Sequence, residues 1–254
     1  MIKSRSKRQR TRRALMIGSF LLFPITMNYL SPYVIIDGAS QGIVNGSLVM
    51  FTLMFLSALF FGRLWCGWAC PAGALGDICM AANDKPVNGK KIDWIKWVIW
   101  VPWLVIIVAS VVAAGGYRSV DLLLHTVGGI SVAGTPDRPI LIAYVIYYGV
   151  IALFAGLAIF AGRRAGCHSI CWMAPFMILG RKLRNTLAWP ALRLKASPER
   201  CSDCKTCTTN CPMSLDVNAL VHSGHMEHSE CILCGSCVDN CAKKAIVYSF
   251  SAGK

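Results

Sequence analysis

Long uncharged apolar stretches alternate with short polar segments along the first two thirds of the chain. Four stretches contain 18 to 22 residues without a charged side chain: Leu15–Ile36, Ile43–Phe61, Trp97–Ala114 and Ile140–Ala161. A helix of that length crosses the roughly 30 Å of hydrocarbon in a membrane. The pattern therefore predicts four transmembrane helices. A soluble protein is disfavoured, because too little polar sequence would remain to cover four buried helices.

Composition and charge support this interpretation. The 254 residues are 55% hydrophobic, with a mean hydropathy of +0.52, which is more apolar than an ordinary soluble domain. The net charge of +14 comes with no nucleic-acid-binding motif, and the basic residues concentrate beside the apolar stretches. We therefore expect anionic membrane lipid, and no nucleic acid, as the partner of this charge.

The distribution of Lys and Arg predicts the orientation. Seven of them precede the first stretch, five lie in 62–96 and twelve follow Ala161, whereas 37–42 contains none and 115–139 contains two. Because basic loops stay on the cytoplasmic side, we expect a multi-pass protein of the inner (cytoplasmic) membrane with both termini in the cytoplasm. The first stretch is too long to be the apolar region of a cleaved signal peptide.

The polar part of the chain carries two copies of one cysteine motif. Two, two and three residues separate successive cysteines, and the pattern repeats 30 residues later: Cys201, Cys204, Cys207, Cys211, then Cys231, Cys234, Cys237, Cys241. This is the bacterial two-cluster ferredoxin pattern, in which the fourth cysteine of each run binds the other cluster. We therefore expect two [4Fe–4S] clusters, one on Cys201, Cys204, Cys207 and Cys241 and one on Cys231, Cys234, Cys237 and Cys211. Zinc is disfavoured, since two complete runs exceed what a structural zinc site uses.

Two further cysteine pairs follow apolar stretches. Each comes shortly after a Gly-Arg dipeptide, and the pairs are 101 residues apart: Cys66 with Cys70, and Cys167 with Cys171. The repeat predicts two equivalent hairpins about a pseudo-two-fold axis, with both pairs at the cytoplasmic surface. In a helix, the spacing places both thiols of a pair on one face. The pairs either bind a metal or a further cluster, form labile disulfides, or pack as small apolar groups, and the sequence leaves these alternatives open.

Few polar groups are available for chemistry within the membrane. No histidine lies inside a predicted span, so there is no axial ligand for a membrane haem. A quinone site needs an apolar slot with a polar group that exchanges protons at the interface. The candidates are Asp77, after the first cysteine pair, and Asp121 and His125, in an outer loop. All three can also be ordinary surface residues. Binding a quinone is therefore one interpretation of these residues, and a plain surface position is the other.

The predicted fold is an α-helical membrane protein with a C-terminal α+β ferredoxin domain of the bacterial 2[4Fe–4S] type. Its four transmembrane helices form two pseudo-repeated hairpins. We expect a basic cytoplasmic tail at 1–13, a membrane domain with both cysteine pairs at 14–175, a juxtamembrane linker at 176–200 and the cytoplasmic ferredoxin domain at 201–254.

The residues resemble the NapH/NosR/MauN-type membrane ferredoxins, a group related to CcoG-type accessory proteins. The resemblance covers nearly the whole chain and rests on Leu30–Tyr33, Phe61–Pro71, the Cys167/Cys171 pair and the double ferredoxin motif. The chain departs from the family where Trp172, rather than proline, follows Cys171. The resemblance implies four spans, cytoplasmic clusters and, for the NapH-like branch, passage of electrons between the quinone pool and a partner electron carrier.

We therefore predict a membrane subunit of a quinol-linked oxidoreductase, working with a redox partner protein through two [4Fe–4S] clusters, with a quinone and an additional metal or cluster as further expected ligands. One alternative is an accessory or maturation factor that supplies electrons for metal or cofactor assembly. Another is a membrane anchor of an oxidoreductase complex. Reduction of the clusters by quinol would separate the first function from the other two.

Overall fold

The computed structural model describes residues 6–133 and 139–252. The first five residues of the predicted basic tail, residues 134–138 of an outer loop and the last two residues of the predicted ferredoxin domain lie outside the described residues. The described helices are α1 (Lys7–Leu21), α2 (Phe23–Thr26), α3 (Pro32–Gln41), α4 (Gly46–Phe61), α5 (Leu64–Trp68), α6 (Pro71–Cys79), α7 (Gly89–Ile92), α8 (Ile95–Ala113), α9 (Ile140–Ala161), α10 (Ala165–Ser169), α11 (Ala174–Thr186), α12 (Thr206–Thr209), α13 (Val217–His222) and α14 (Ser236–Asp239). The described strands are β1 (Ile43–Asn45), β2 (Ser119–Asp121), β3 (Ala191–Ala196) and β4 (Ile246–Ser251).

Among the described residues, two helices are long and apolar enough to cross a membrane, α8 and α9. Much of their apolar surface faces outward: Val112 is 74% exposed and Phe160 is 88% exposed. Such exposure is expected of helices that face lipid and not of helices in a soluble core. The apolar α4, with 16 residues, is shorter than a typical span. These helices indicate association with a membrane.

The stretch 15–36 is not the single transmembrane helix that its apolar sequence predicts. α1 ends at Leu21, α2 starts at Phe23 with Pro24 in its first turn, and α3 starts at Pro32. Proline has no N–H to donate to the preceding turn and its ring crowds the carbonyl there, so prolines belong at the starts of helices. The prediction of one continuous helix here was wrong, and the broken segment borders a cavity described below.

The second apolar stretch begins as a strand. β1 pairs in parallel with β2, so that Ile43 lies beside Ser119 and Asn45 beside Asp121. Asn45 then caps α4, because its side-chain oxygen accepts the backbone N–H of Leu48 at 2.9 Å. The predicted span at 43–61 is therefore helical only from Gly46 onward.

The repeated cysteine pattern folds into a repeated local structure. α4 and α9 end at Gly62 and Gly162, whose φ angles of 56° and 110° are accessible to glycine without strain. Each glycine is followed by a five-residue helix, α5 or α10, and then by a longer helix, α6 or α11, with proline in its first turn. α11 runs along α4 in the same direction, with Gly180 against Phe55 and Arg184 beside Gly62. The N-terminus of α11 consequently lies alongside α4 and not at its end.

The cysteine-rich part folds around a two-stranded sheet. β3 pairs antiparallel with β4, with Ala191 opposite Ser251 and Ala196 opposite Ile246. β3 lies inside 176–200, the segment that the sequence predicts as a linker. This strand therefore belongs to the same folded unit as the cysteines, because its backbone hydrogen bonds are made to the strand that follows the last of them.

Candidate functional site

The ferredoxin cysteines fall into two groups, each lining its own cavity. One group, called here the distal set, is Cys201, Cys204, Cys207 and Cys241. The other, called here the proximal set because it lies nearer the apolar helices, is Cys211, Cys231, Cys234 and Cys237. The partition is the one that the motif spacing predicts, with the fourth cysteine of each run beside the first three of the other. Four thiols around each cavity are the donor set that a cubane cluster requires.

Both motifs wind the chain in the same way. Asp203 and Lys205 in the first motif, and Leu233 and Gly235 in the second, have φ angles between 51° and 75°. Alternating left-handed residues turn successive backbone N–H groups toward one side, which favours a bound anion. The repeated backbone conformation therefore suits two anionic clusters in equivalent surroundings.

The two sets differ in exposure. Cys204 of the distal set is exposed, and Cys201 and Cys241 are half-buried. In the proximal set, Cys211, Cys234 and Cys237 are buried and Cys231 is half-buried. One cluster site is thus open to solvent at its edge, whereas the other is enclosed.

The proximal set is enclosed by the first cysteine hairpin. Trp68 Nε1 donates a hydrogen bond of 3.1 Å to the carbonyl oxygen of Leu233, and Gln9 Nε2 donates one of 2.9 Å to the carbonyl oxygen of Cys234. Next to Trp68 in the chain, Gly67 lies so close to the carbonyl oxygen of Ile232 that an added Cβ atom would overlap this oxygen. The helix that carries Cys66 therefore touches the loop that carries Cys234.

The two membrane cysteine pairs come together as one buried group, called here the four-cysteine site. Its members are Cys66, Cys70, Cys167 and Cys171, all of them buried. Burial raises the pKa of Cys70, and its neighbours Cys66, Cys167 and Cys171 raise it further. Burial likewise raises the pKa of Cys167 to about 12, although Arg164 opposes the shift. Four buried thiols whose charges interact are a donor set suited to a soft metal or a cluster, and binding would displace their protons.

Positive charge surrounds the four-cysteine site. Arg164 Nη1 donates a hydrogen bond of 3.1 Å to the carbonyl oxygen of Cys66, and Arg63 is completely buried nearby. Cys70 is the N-cap residue of α6, and Cys171 lies two residues before the N-cap of α11. Helix N-termini carry partial positive charge. The N-termini of α6 and α11 and the two arginines therefore favour a thiolate or an anionic cluster here. The residues fit an iron–sulfur or metal centre.

A buried ion-pair network joins the membrane part to the ferredoxin part. Glu230 lies 2.6 Å from Arg63 and 2.7 Å from Lys96, and all three side chains are almost fully buried. Burial alone would raise the pKa of Glu230, but Arg63 and Lys96 outweigh it and hold this pKa at about 2. His168 and Asp93 extend the network through a contact of 2.6 Å. The sequence contains no spacing that would have revealed these pairs.

The same network contains a group with metal-binding residue types. Ligand atoms of Asp93, His168 and Glu230 lie within 4.8 Å of one another. The ammonium of Lys96 lies 2.7 Å from Glu230 and 3.5 Å from Asp93, and Arg63 lies 2.6 Å from Glu230, so two cations of the protein already balance these two carboxylates. This group is an ion-pair network and not a metal site.

A second network surrounds Glu227. Its carboxylate lies 2.6 Å from Arg181, 3.4 Å from Arg184 and 3.1 Å from Arg193. Arg181 also donates a hydrogen bond of 3.1 Å to the carbonyl oxygen of Cys231. Three guanidinium groups therefore meet one carboxylate beside the proximal set, which leaves an excess of positive charge near an anionic cluster.

A cavity of about 480 Å³ lies beside the four-cysteine site. It is mostly apolar, with Phe23 among its lining residues, and Tyr33 contributes a polar group. It also borders Pro71 and Trp172, which follow Cys70 and Cys171 directly in the chain. Its size and lining are typical of a site for a largely apolar small molecule.

Asp77, the first residue that the sequence suggests for a quinone, is engaged in ion pairs. Its carboxylate lies 2.9 Å from Arg12 and 2.7 Å from Arg164. Burial would raise the pKa of Asp77, but Arg164 and Arg12 together lower it. Asp77 therefore stays ionised and ties α1 to the second cysteine hairpin. It does not belong to the described lining of the 480 Å³ cavity.

Of the other two candidates, only His125 is connected to that cavity by a described contact. Asp121 pairs with Asn45 in the small sheet. His125 Nε2 lies 2.6 Å from an oxygen of Asp37, and its ring centre is 6.3 Å from that of Tyr33. Neither Asp121 nor His125 is among the described lining residues, but His125 contacts one that is.

Two iron–sulfur families match the chain. The family described as a 4Fe-4S binding domain matches residues 45–82, a range that includes the first membrane cysteine pair. The family described as a 4Fe-4S dicluster domain matches residues 200–246, which contains both ferredoxin motifs. The matches support iron–sulfur clusters and leave the additional membrane centre and the quinone as proposals.

Several relatives align with most of the chain. An uncharacterized protein of Methanocaldococcus jannaschii is 24% identical over 241 residues, which are 93% of this chain and 82% of the relative. The protein RdxA of Cereibacter sphaeroides is 28% identical over 78% of this chain and 44% of its own length. The ferredoxin-type protein NapH of Haemophilus influenzae is 24% identical over 78% of this chain and 66% of its own length. No solved structure matches the chain.

Proposed function

We propose that this chain, which is a NapH-like member of the polyferredoxin family, passes electrons between a membrane quinone and a partner redox protein. The observation that carries the proposal is the order of the sites. The apolar cavity borders Pro71 and Trp172, the four-cysteine site lies beside them, and Gly67 contacts the loop of the proximal set. These contacts support a continuous route for electrons from a membrane cavity to the ferredoxin clusters.

The eight ferredoxin cysteines hold two [4Fe–4S] clusters, one on the distal set and one on the proximal set. Cys66, Cys70, Cys167 and Cys171 hold a third redox or metal centre. This assignment accounts for the four buried thiols, for the N-termini of α6 and α11 beside them, and for the buried arginines. Bound clusters would supply one-electron chemistry, and the protein supplies their spacing and charge environment.

The quinone head group occupies the 480 Å³ cavity. Tyr33 lines this cavity and packs against His125, which is 2.6 Å from Asp37. Oxidation of a quinol releases two protons and two electrons, and an imidazole beside a carboxylate can pass the protons one at a time to water. His125 and Asp37 are therefore the residues to which we assign proton transfer, whereas Asp77 has a structural role in this proposal.

The chain crosses the membrane four times, with residues 15–36 as a broken first crossing and with 43–61, 97–114 and 140–161 as the others. Both termini and the ferredoxin domain lie in the cytoplasm. The distribution of Lys and Arg supports this orientation. Cysteine-accessibility labelling in intact cells at Ser40, in the outer segment, and at Asn88, in the inner segment, would test it, since only Ser40→Cys should react with an impermeant reagent.

The function is tested on protein purified anaerobically in detergent. Iron and sulfide are counted, and the clusters are followed by electron paramagnetic resonance (EPR) as a reduced quinol analogue is added. We expect more than the roughly eight irons of two cubane clusters, together with quinol-dependent cluster reduction. Clusters that dithionite reduces but that quinol leaves oxidised, even with the partner present, would overturn the quinol role and favour a maturation or anchoring function.

A further inference from the structure

We propose that the solvent-exposed face around the distal set is a docking surface for a redox protein with an acidic contact face, and that electrons enter or leave the ferredoxin domain there. The inference extends the proposed function by naming the exit cluster and the chemistry of the partner. It depends on the clusters and their positions, and its test does not use a quinol.

A partner protein can approach the distal set more closely than the proximal set. Cys204 is exposed, and Ser202 and Lys205 beside it are exposed as well. The proximal set has no exposed cysteine, since Cys231 is half-buried and the other three are buried, and its loop is covered by Trp68 and Gln9. A partner protein therefore comes closest to a cluster at the distal set.

Ion pairs with the membrane part hold the ferredoxin domain in one orientation. Glu230 is bonded to Arg63 and Lys96, which come from the membrane part, and Asp239 is paired with Arg8 of α1 at 3.4 Å. Removing one partner from a buried pair leaves an uncompensated charge and is strongly unfavourable. The proximal set consequently stays against the membrane hairpin, and the distal set stays exposed.

Basic residues surround the exposed distal set. Lys205 and Lys243 are exposed and line the mouth of the distal cavity, and the exposed Lys244 follows. The acidic Asp203 is exposed nearby, where it accepts a hydrogen bond from Asn218 at 2.6 Å and contacts His222 at 3.2 Å, but it is not among the described lining residues. The charged residues in that described lining are the two lysines, so the rim of the distal cavity is positive and an acidic surface complements it. Complementary charge guides encounter and orientation between redox proteins.

The electron balance is simple. One electron leaves the reduced distal cluster and reduces the acceptor of the partner by one electron, and no bond to the protein forms or breaks. For a flavin acceptor, the accompanying proton comes from water. The reaction in the other direction uses the same contact, so the docking surface does not depend on the direction of flow.

The test uses the full-length protein with its clusters reduced by dithionite and the excess removed. Oxidation is followed by stopped flow with two probes, an acidic flavodoxin and uncharged lumiflavin, over a series of ionic strengths. The variant is Lys205→Glu, and the control is Lys195→Glu, which makes the same change of charge at an exposed position of β3 outside the distal cavity. EPR titration of both variants measures the cluster potentials separately.

We expect Lys205→Glu to slow oxidation by flavodoxin at least about tenfold at low ionic strength, with little effect on lumiflavin, and Lys195→Glu to change neither much. Carbodiimide should cross-link flavodoxin to Lys205 or Lys243. Equal slowing with both probes would mean that the lysine only sets the cluster potential, and would overturn the proposal. Cross-links confined to other lysines, or equal effects of the two variants, would also overturn it.

Discussion

Trp68 Nε1 donates a hydrogen bond of 3.1 Å to the carbonyl oxygen of Leu233. This bond joins the helix that carries Cys66 to the loop that carries Cys234. The bonded residues, Trp68 and Leu233, are 165 positions apart in the chain. It shows that the two cysteine systems form one structure. The predictions below test the parts of that structure separately.

The contact beside Trp68 depends on a glycine. A Cβ atom at Gly67 would overlap the carbonyl oxygen of Ile232, and a packed interface can relieve such an overlap only by moving apart. We expect Gly67→Ala to keep a full iron content but to slow quinol-driven cluster reduction severalfold. The control is Gly156→Ala, where an added Cβ meets nothing within 4 Å. Unchanged kinetics in Gly67→Ala would contradict a route through this contact.

The proposed third centre makes a prediction about iron. Cys171→Ser removes one thiol of the four-cysteine site, and we expect the iron content to fall to about eight per chain, which is the content of the two ferredoxin clusters. Cys79→Ser is the matched control, because Cys79 is also buried but belongs to none of the three cysteine groups. Colorimetric iron analysis with EPR measures both. Identical iron contents in Cys171→Ser and the unsubstituted protein would sink the assignment of an iron centre there.

The Glu230 network makes a prediction about stability. Glu230→Gln leaves Arg63 and Lys96 buried without their carboxylate, and breaking a buried ion pair in this way typically costs about 3–5 kcal/mol. We expect a lower melting temperature and faster proteolysis between the membrane and ferredoxin parts. Glu199→Gln, at an exposed position, should behave like the unsubstituted protein. A Glu230→Gln variant with unchanged melting and protease resistance would show that the network does not hold the two parts together.

The cavity makes a prediction about quinol access. Ile146 lines it, whereas the adjacent Val145 is 64% exposed on the same helix and does not belong to its described lining. We expect Ile146→Trp to raise the KM for a quinol analogue strongly, because the larger side chain fills the site, and Val145→Trp to leave it nearly unchanged. Dithionite reduction of the clusters serves as the reference for both. If the two variants respond alike, the quinol binds elsewhere.

Much of the chemistry was predictable because its signals are local. The spacing of the ferredoxin cysteines sets which thiols surround each cavity, since only a few residues of loop and one short helix separate them. The apolar sequences of α8 and α9 likewise determine helices of membrane-crossing length without reference to the rest of the chain. Pro24 and Pro32 lie in the first turns of α2 and α3 and interrupt the first apolar stretch, whose length alone favours a continuous helix.

The sequence by itself therefore determined which ferredoxin cysteines surround each cavity, the apolar helices and the repeat of the membrane cysteine pairs, because each is encoded over a few turns of chain. Only the tertiary structure decided that the two pairs meet in one site, that Asp77 binds Arg12 and Arg164, and that Lys96 faces Glu230. These contacts join residues far apart in the sequence. Their partners are selected by how the helices pack and by the high free-energy cost of burying a charge alone. Neither effect produces a residue spacing that can be recognised along the chain.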